Sequence, residues 1–213
     1  MRFSDWEPHY TAILDYFGFE READEAAART LADLAGRDDV GLLEAFIRGR
    51  QVTVCGNAPP AFPGELDRIE GDGACRRCGG GGARGSRYPA GRGLHRPRRG
   101  RRTFSSSSRS RGTVMVVHAH GDNVPLLRHW VPRIPPGPLV ATTQAAPLPP
   151  HVHNFGGFTD GDRAVFAADE LGGAASVRIV GFDLADKNVD PPLKRGKLYW
   201  AGELLRLIGY DLQ

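Results

Sequence analysis

Residues 154–165 read N-F-G-G-F-T-D-G-D-R-A-V, and this stretch decides the kind of fold the chain adopts. Gly156, Gly157 and Gly161 are expected to take positive φ and let the backbone approach a ligand closely. The residues that follow predict an amphipathic helix over 164–171, with Thr159 or Asp160 as its N-cap. Two carboxylates, Asp160 and Asp162, therefore stand beside a glycine turn at a helix N-terminus, a pattern that suits a site as well as scaffolding. Upstream, residues 114–123 read V-M-V-V-H-A-H-G-D-N, an apolar run of strand length that ends in polar groups. Two polar strand ends of this kind imply a shared cleft.

Working outward, strands are predicted over 51–55, 114–117, 139–142 and 177–182, and helices over 125–130, 164–171 and 197–208. Alternating strands and helices give an α/β fold with a mainly parallel sheet. Ligands of such sheets bind beyond the carboxyl ends of the strands, where His118, His120, Asp122, Thr143, Gln144 and Asp183 are expected to cluster. Residues 1–48 read as a helical region: Trp6, Tyr10, Ile13, Leu14 and Phe17 fall at helical spacing and Gly18 breaks it. Further helices are predicted over 23–34 and 42–47. Residues 49–213 then form the α/β domain, interrupted at 74–112.

That interruption is compositional. Residues 74–112 contain twelve arginines and no acid, and lack the apolar periodicity of a core strand or helix, so they are expected to be irregular or disordered. With them set aside, acids outnumber bases across the rest of the chain. Lysine is confined to Lys187, Lys194 and Lys197, and this arginine bias with excess acid suits a salt-adapted cytoplasm. Three readings of the segment stand open. It is a basic arm that binds nucleic acid through counterion release; or Cys75 and Cys78, with His95, begin a metal site that lacks its second cysteine pair; or it is translated in the wrong frame. Read one base later, arginine-rich codons permit strand-like Val and Ala near 75–78 and F-T-V-H-D-V-D-G over 94–101, the missing strand and acidic loop.

Three cysteines, Cys55, Cys75 and Cys78, are an odd set that argues against a disulfide framework. The first ten residues carry no apolar leader and no later apolar run reaches the length of a bilayer crossing, so a cytoplasmic protein is expected.

The motifs V-V-H-A-H-G-D-N (116–123), T-T-Q (142–144), N-F-G-G-F-T-D-G-D-R-A-V (154–165), V-G-F-D (180–183) and K-L-Y-W-A (197–201), with W-x-x-x-Y at the start and G-N-A-P-P at 56–60, together resemble the archaeal 6-hydroxymethyl-7,8-dihydropterin diphosphokinase family. The resemblance covers residues 1–73 and 113–213. It implies a thiamine-diphosphokinase-like sheet and transfer of diphosphate from ATP to a reduced pterin, with release of AMP and use of Mg²⁺, in folate or tetrahydromethanopterin biosynthesis. ATP and reduced pterin are the implied partners; no membrane or nucleic acid is called for, and an oligomer is open. A glycosyltransferase-like branch shares this domain type, and the short length weighs against it. A non-catalytic α/β module with a basic nucleic-acid-binding arm is the alternative.

The resemblance makes Asp122, Asp160 and Asp162 the candidate catalytic carboxylates, with Asp122 and Asp162 as metal ligands. His118, His120, Asn123, Gln144, Asn154, Gly156, Gly157, Thr159 and Arg163 are candidates for binding nucleotide or pterin. Bland roles stay open beside these: Asp122 as a turn residue, Asp160 and Asp162 as helix caps, each histidine as a satisfied structural group, and Arg163 as an ion-pair partner of Asp162. His118 and His120 alternate along a strand end, so only one is expected to reach a site. Related sequences carry an A-D-G-A-type turn and a D-L-D-G-D-type acidic loop in the middle, and neither is present here. A chain lacking them is expected to be weakened in both stability and activity.

Overall fold

The computed structural model describes residues 1–56, 73–75, 114–173, 177–185 and 192–212. It opens with three helices, α1 (Phe3–Phe17), α2 (Arg21–Ala35) and α3 (Val40–Ile47), followed by strands β1 (Val52–Cys55), β2 (Gly73–Cys75) and β3 (Met115–Ala119). Helix α4 (Val124–Trp130) with a short 3-10 turn leads to β4 (Leu139–Thr143) and β5 (Val152–His153), then α5 (Asp160–Gly172), β6 (Val177–Val180) and α6 (Pro192–Leu207). Among the described residues the strands form two three-stranded sheets, ordered β2-β1-β6 and β3-β4-β5. Every pairing within them is parallel. The α/β expectation therefore holds, and the alternation of strand and helix is the reason, because parallel neighbours need crossovers.

The first helices are part of the core. Ala27 and Leu31 of α2 are fully buried in one cluster with Met115, Val117 and Ala119 of β3, Leu127 of α4 and Leu139 and Ala141 of β4. Helix α1 buries Trp6, Tyr10, Ile13 and Leu14 against Phe158, Phe166 and Leu204. Trp6 Nε1 donates to the Gln144 carbonyl at 2.8 Å, which ties α1 to the end of β4. Helix α5 joins the α1 cluster to the β2-β1-β6 sheet, since Phe166 belongs to the α1 cluster while Ala164, Val165 and Ala168 pack with Val52 and Val54 of β1 and Leu205 of α6.

Several expectations need correction. Helix α5 starts at Asp160, four residues before the predicted 164, because the Thr159 and Asp162 side chains form a reciprocal capping box. Strand β5 was not expected; its two residues are too short to show a period. The composition break at 74 does not end the sheet. Ala74 and Cys75 pair with Val54 and Cys55 in parallel, since a parallel ladder is made by backbone groups and needs no apolar alternation. The remaining residues of the basic segment, the second cysteine Cys78, the frame reading beyond residue 75 and the loop at 57–60 lie outside the described residues.

Because Leu31 is fully buried between α2 and β4, Leu31→Ala is expected to cost about 2–5 kcal/mol of stability, as a core truncation does. Urea unfolding should show a lower midpoint with a single transition; an unchanged midpoint would mean that α2 is a removable cap.

Candidate active site

Beyond the carboxyl ends of β3 and β4 lies a cavity of about 370 Å³, lined by residues that include Glu20, Asp24, His120, Asp122, Gln144, Thr159, Asp160, Arg163 and Lys197. This volume is within the range of small-molecule sites. Its floor is a run of hydrogen bonds. Asp24, 3% exposed, accepts at Oδ2 from the Tyr10 hydroxyl at 2.8 Å and from Gln144 Nε2 at 2.7 Å, and at Oδ1 from the Gly121 N–H at 2.6 Å. Gln144 Oε1 accepts from Arg163 Nη2 at 3.0 Å. Arg163 Nη1 pairs with Asp160 Oδ1 at 3.3 Å, so the ion pair that stood as one alternative for Arg163 is made with Asp160 in place of Asp162. Burial and the neighbouring Asp24 push the Tyr10 hydroxyl well above the usual phenol range.

The upper wall comes from the β3–α4 loop. His120 Nδ1 is paired with Asp122 Oδ1, and Asp122 is largely exposed while His120 is largely covered. His118, two residues back on β3, is buried with Nδ1 3.0 Å from Thr142 Oγ1. Only His120 of the pair lines the cavity, but strand alternation is not the reason, because residues two apart share a face. The two rings lie 6.1 Å apart, and His120 reaches the cavity because β3 ends at Ala119 and the chain turns there. Asn123 shapes the loop from behind: it donates to the His118 carbonyl at 2.8 Å and accepts from the His120 N–H at 3.1 Å. Gly121 abuts α2, where an added Cβ would stand 2.7 Å from Ala23 Cβ.

The far wall is the start of α5. Thr159 and Asp160 line the cavity, but Asp162 does not. Asp162 is completely buried, and accepts from the Phe158 N–H at 2.6 Å, the Thr159 N–H at 2.7 Å and the Thr159 hydroxyl. Burial pushes its carboxyl above the usual range, and the hydrogen bonds pull the other way. This geometry makes Asp162 the cap of α5 in place of the catalytic or metal-binding carboxylate expected of it.

The glycines likewise serve the protein's own packing. Gly156 and Gly157 do take positive φ, 90° and 83°, but an added Cβ would stand 2.6 Å from the Phe166 ring at Gly156 and 2.7 Å from the Arg163 backbone at Gly157. Gly161 lacks the expected positive φ; it makes room for the Phe182 ring, 2.5 Å from an added Cβ. Asn154 spends its side chain on the Gln144 and Ala145 carbonyls and the Gly156 N–H and is not among the cavity-lining residues. Thr143 bonds the Ala145 N–H and Asp183 the Ala185 N–H, so both finish turns outside the cavity.

Three proteins of known function are similar to the chain. A 6-hydroxymethyl-7,8-dihydropterin pyrophosphokinase of Methanothermobacter thermautotrophicus is 34% identical over 226 residues, covering 94% of this chain and 92% of that protein. The chain belongs to the 6-hydroxymethyl-7,8-dihydropterin pyrophosphokinase family. A pyrophosphokinase of the same name from Pyrococcus furiosus is 34% identical over 189 residues, with 87% and 79% of the two chains covered. A third, from Methanocaldococcus jannaschii, is 29% identical over 190 residues, with 79% and 74% covered. No family model matches the chain. These pyrophosphokinase relatives do not favour the alternative of a non-catalytic module with a basic arm.

Three charged cavity groups were missed in the sequence, Glu20, Asp24 and Lys197. Asp24 lies in an alanine-rich helix where an acid reads as a solvated face, and only its burial at the end of a long-range contact marks it out. Lys197, on α6, stands 5.7 Å from the centre of the Phe158 ring at the cavity.

Asp162→Asn, which keeps the shape of the cap but replaces one accepting oxygen with a donor, is expected to cost about 1–3 kcal/mol of stability. Catalytic turnover measured well below the melting temperature should be retained; loss of turnover in a folded variant would restore the catalytic role.

Proposed function

We propose that the chain transfers the diphosphate of ATP to the hydroxymethyl group of a reduced 6-hydroxymethylpterin and releases AMP, acting in the cytoplasm. The observation that carries this reading is the meeting, in one cavity of a family member, of two cations, a helix N-terminus and a carboxylate-paired histidine. Diphosphoryl transfer needs positive charge for the equatorial oxygens, alignment of the attacking hydroxyl, and a group to take its proton. Arg163 and Lys197 supply the charge, with the first N–H groups of α5 adding donors. His120, fixed through Nδ1 by Asp122, is the group that takes the hydroxyl proton.

A divalent cation, when bound, neutralises polyphosphate charge in reactions of this class. The described residues do not fit it by themselves. Among them no group of three His, Cys, Asp or Glu is placed to hold a metal ion; the Asp24 oxygens carry three donors, Asp160 pairs with Arg163, and Asp122 pairs with His120. No step above runs through a metal. No helix among the described residues is long and apolar enough to cross a membrane.

The test is AMP release measured with both ATP and pterin present, on the chain as written and on a chain whose codons 74–112 are read one base later. Pterin-dependent AMP release in either supports the reading, and its absence from both contradicts it. In the active chain His120→Gln is expected to lower kcat by about 10²–10⁴-fold, the usual worth of a positioned base.

A further inference from the structure

We propose that Asp24 is a positioning residue: through the amide of Gln144 it sets how Arg163 faces the phosphates of the substrate. The inference rests on the phosphoryl-transfer reading of the cavity and adds a residue that the family motifs do not contain. Asp24 comes from α2, Gln144 from the end of β4 and Arg163 from the first turn of α5, so one line of side chains connects three separate elements.

The chemistry of that line has a direction. A carboxylate only accepts and a guanidinium only donates, while a primary amide does one at each end. Asp24 therefore accepts from Gln144 Nε2 at 2.7 Å, which turns Oε1 toward Arg163, where it accepts from Nη2 at 3.0 Å. A reversed amide would set oxygen against carboxylate and N–H against guanidinium. Asp24 thus dictates the orientation of an amide it touches and, through it, supplies Arg163 with an acceptor. Asp160 holds the other arm of the fork through Nη1. With both arms fixed, the guanidinium has one placement at the cavity, and preorganised charge of this kind is what phosphate binding requires.

Asp24 is itself held at both carboxylate oxygens. The Tyr10 hydroxyl shares Oδ2 and the Gly121 N–H takes Oδ1. The Gly121 bond also connects Asp24 to the loop that carries His120 and Asp122, so the same carboxylate supports both walls of the cavity.

The test is equilibrium binding of α,β-methylene-ATP, an ATP analogue that cannot be cleaved at the transferred bond, by calorimetry on the full chain. Asp24→Asn places an N–H where Oδ2 stood, so the Gln144 amide reverses and presents a donor to Arg163. Affinity for the analogue is expected to fall about tenfold, the effect of losing one charge-assisted hydrogen bond. Gln144→Met, which removes the amide without adding charge, should give the same loss. In the double variant Asp24→Asn/Gln144→Glu the carboxylate moves one position along the line, accepts from both neighbours, and should bring affinity back to within about twofold of the unaltered chain.

Tyr10→Phe removes another partner of Asp24 and leaves the amide alone; it should lower the melting temperature and leave affinity unchanged. Unchanged affinity in Gln144→Met overturns the proposal, as does a Tyr10→Phe loss equal to that of Asp24→Asn, a double variant no tighter than the single, or an unaltered chain that does not bind the analogue. Pterin-dependent AMP release reports separately on the reaction: an analogue bound as predicted without any AMP release would sink the diphosphokinase reading and leave the positioning role standing.

Discussion

The buried carboxylate of Asp24 is the constraint around which the described parts of this molecule are arranged. An ionised acid taken out of water is costly unless its lone pairs are used, and removal of its partners leaves a penalty of several kcal/mol. Here a phenol from α1, an amide from β4 and a backbone N–H from the β3–α4 loop converge on it. Three chain segments far apart in sequence are thereby fixed at one point. That point is the floor of the cavity, so the interaction that satisfies the fold also determines where the site can be.

The start of α5 follows the same economy of parts on the opposite wall. Asp162 caps the helix and Gly157 lets the preceding loop lie against the Arg163 backbone. Thr159, Asp160 and Arg163 then face the cavity while Asp162 is sealed behind them. A motif with two acids two positions apart on a helix start thus divides its labour: one acid orients an arginine and the other holds the turn. The chemistry of the motif depends on which residue the capping box claims, and a Thr-x-x-Asp spacing claims the second acid.

Much of the fold was legible because strand and helix periods survive in both halves of the chain. Residues 114–117 and 139–142 announced β3 and β4, and the spacing of Trp6, Tyr10, Ile13 and Leu14 announced α1. His120, Asp122, Gln144, Thr159, Asp160 and Arg163 were found because polar residues at strand ends and helix starts point to clefts in parallel sheets. His118, Asn123, Asn154 and Asp162 carried the same local signal, yet their side chains are consumed by Thr142, by neighbouring loop backbone and by the α5 cap. Hydrogen-bond partners of that kind are set by geometry that a linear motif does not contain. Asp24 shows the converse: no local pattern separates it from Asp33 on the same helix, and its importance comes from Tyr10, Gly121 and Gln144, which are 14, 97 and 120 positions away.

The central claim is that the cavity between α2, the β3–α4 loop and α5 holds the reacting phosphates. The most direct measurement is a crystal structure of the chain with α,β-methylene-ATP and reduced pterin bound together. The account predicts the triphosphate beside Arg163, Lys197 and the first turn of α5, with the pterin hydroxymethyl oxygen within hydrogen-bonding reach of His120. A nucleotide bound elsewhere, with this cavity left to solvent, would contradict it.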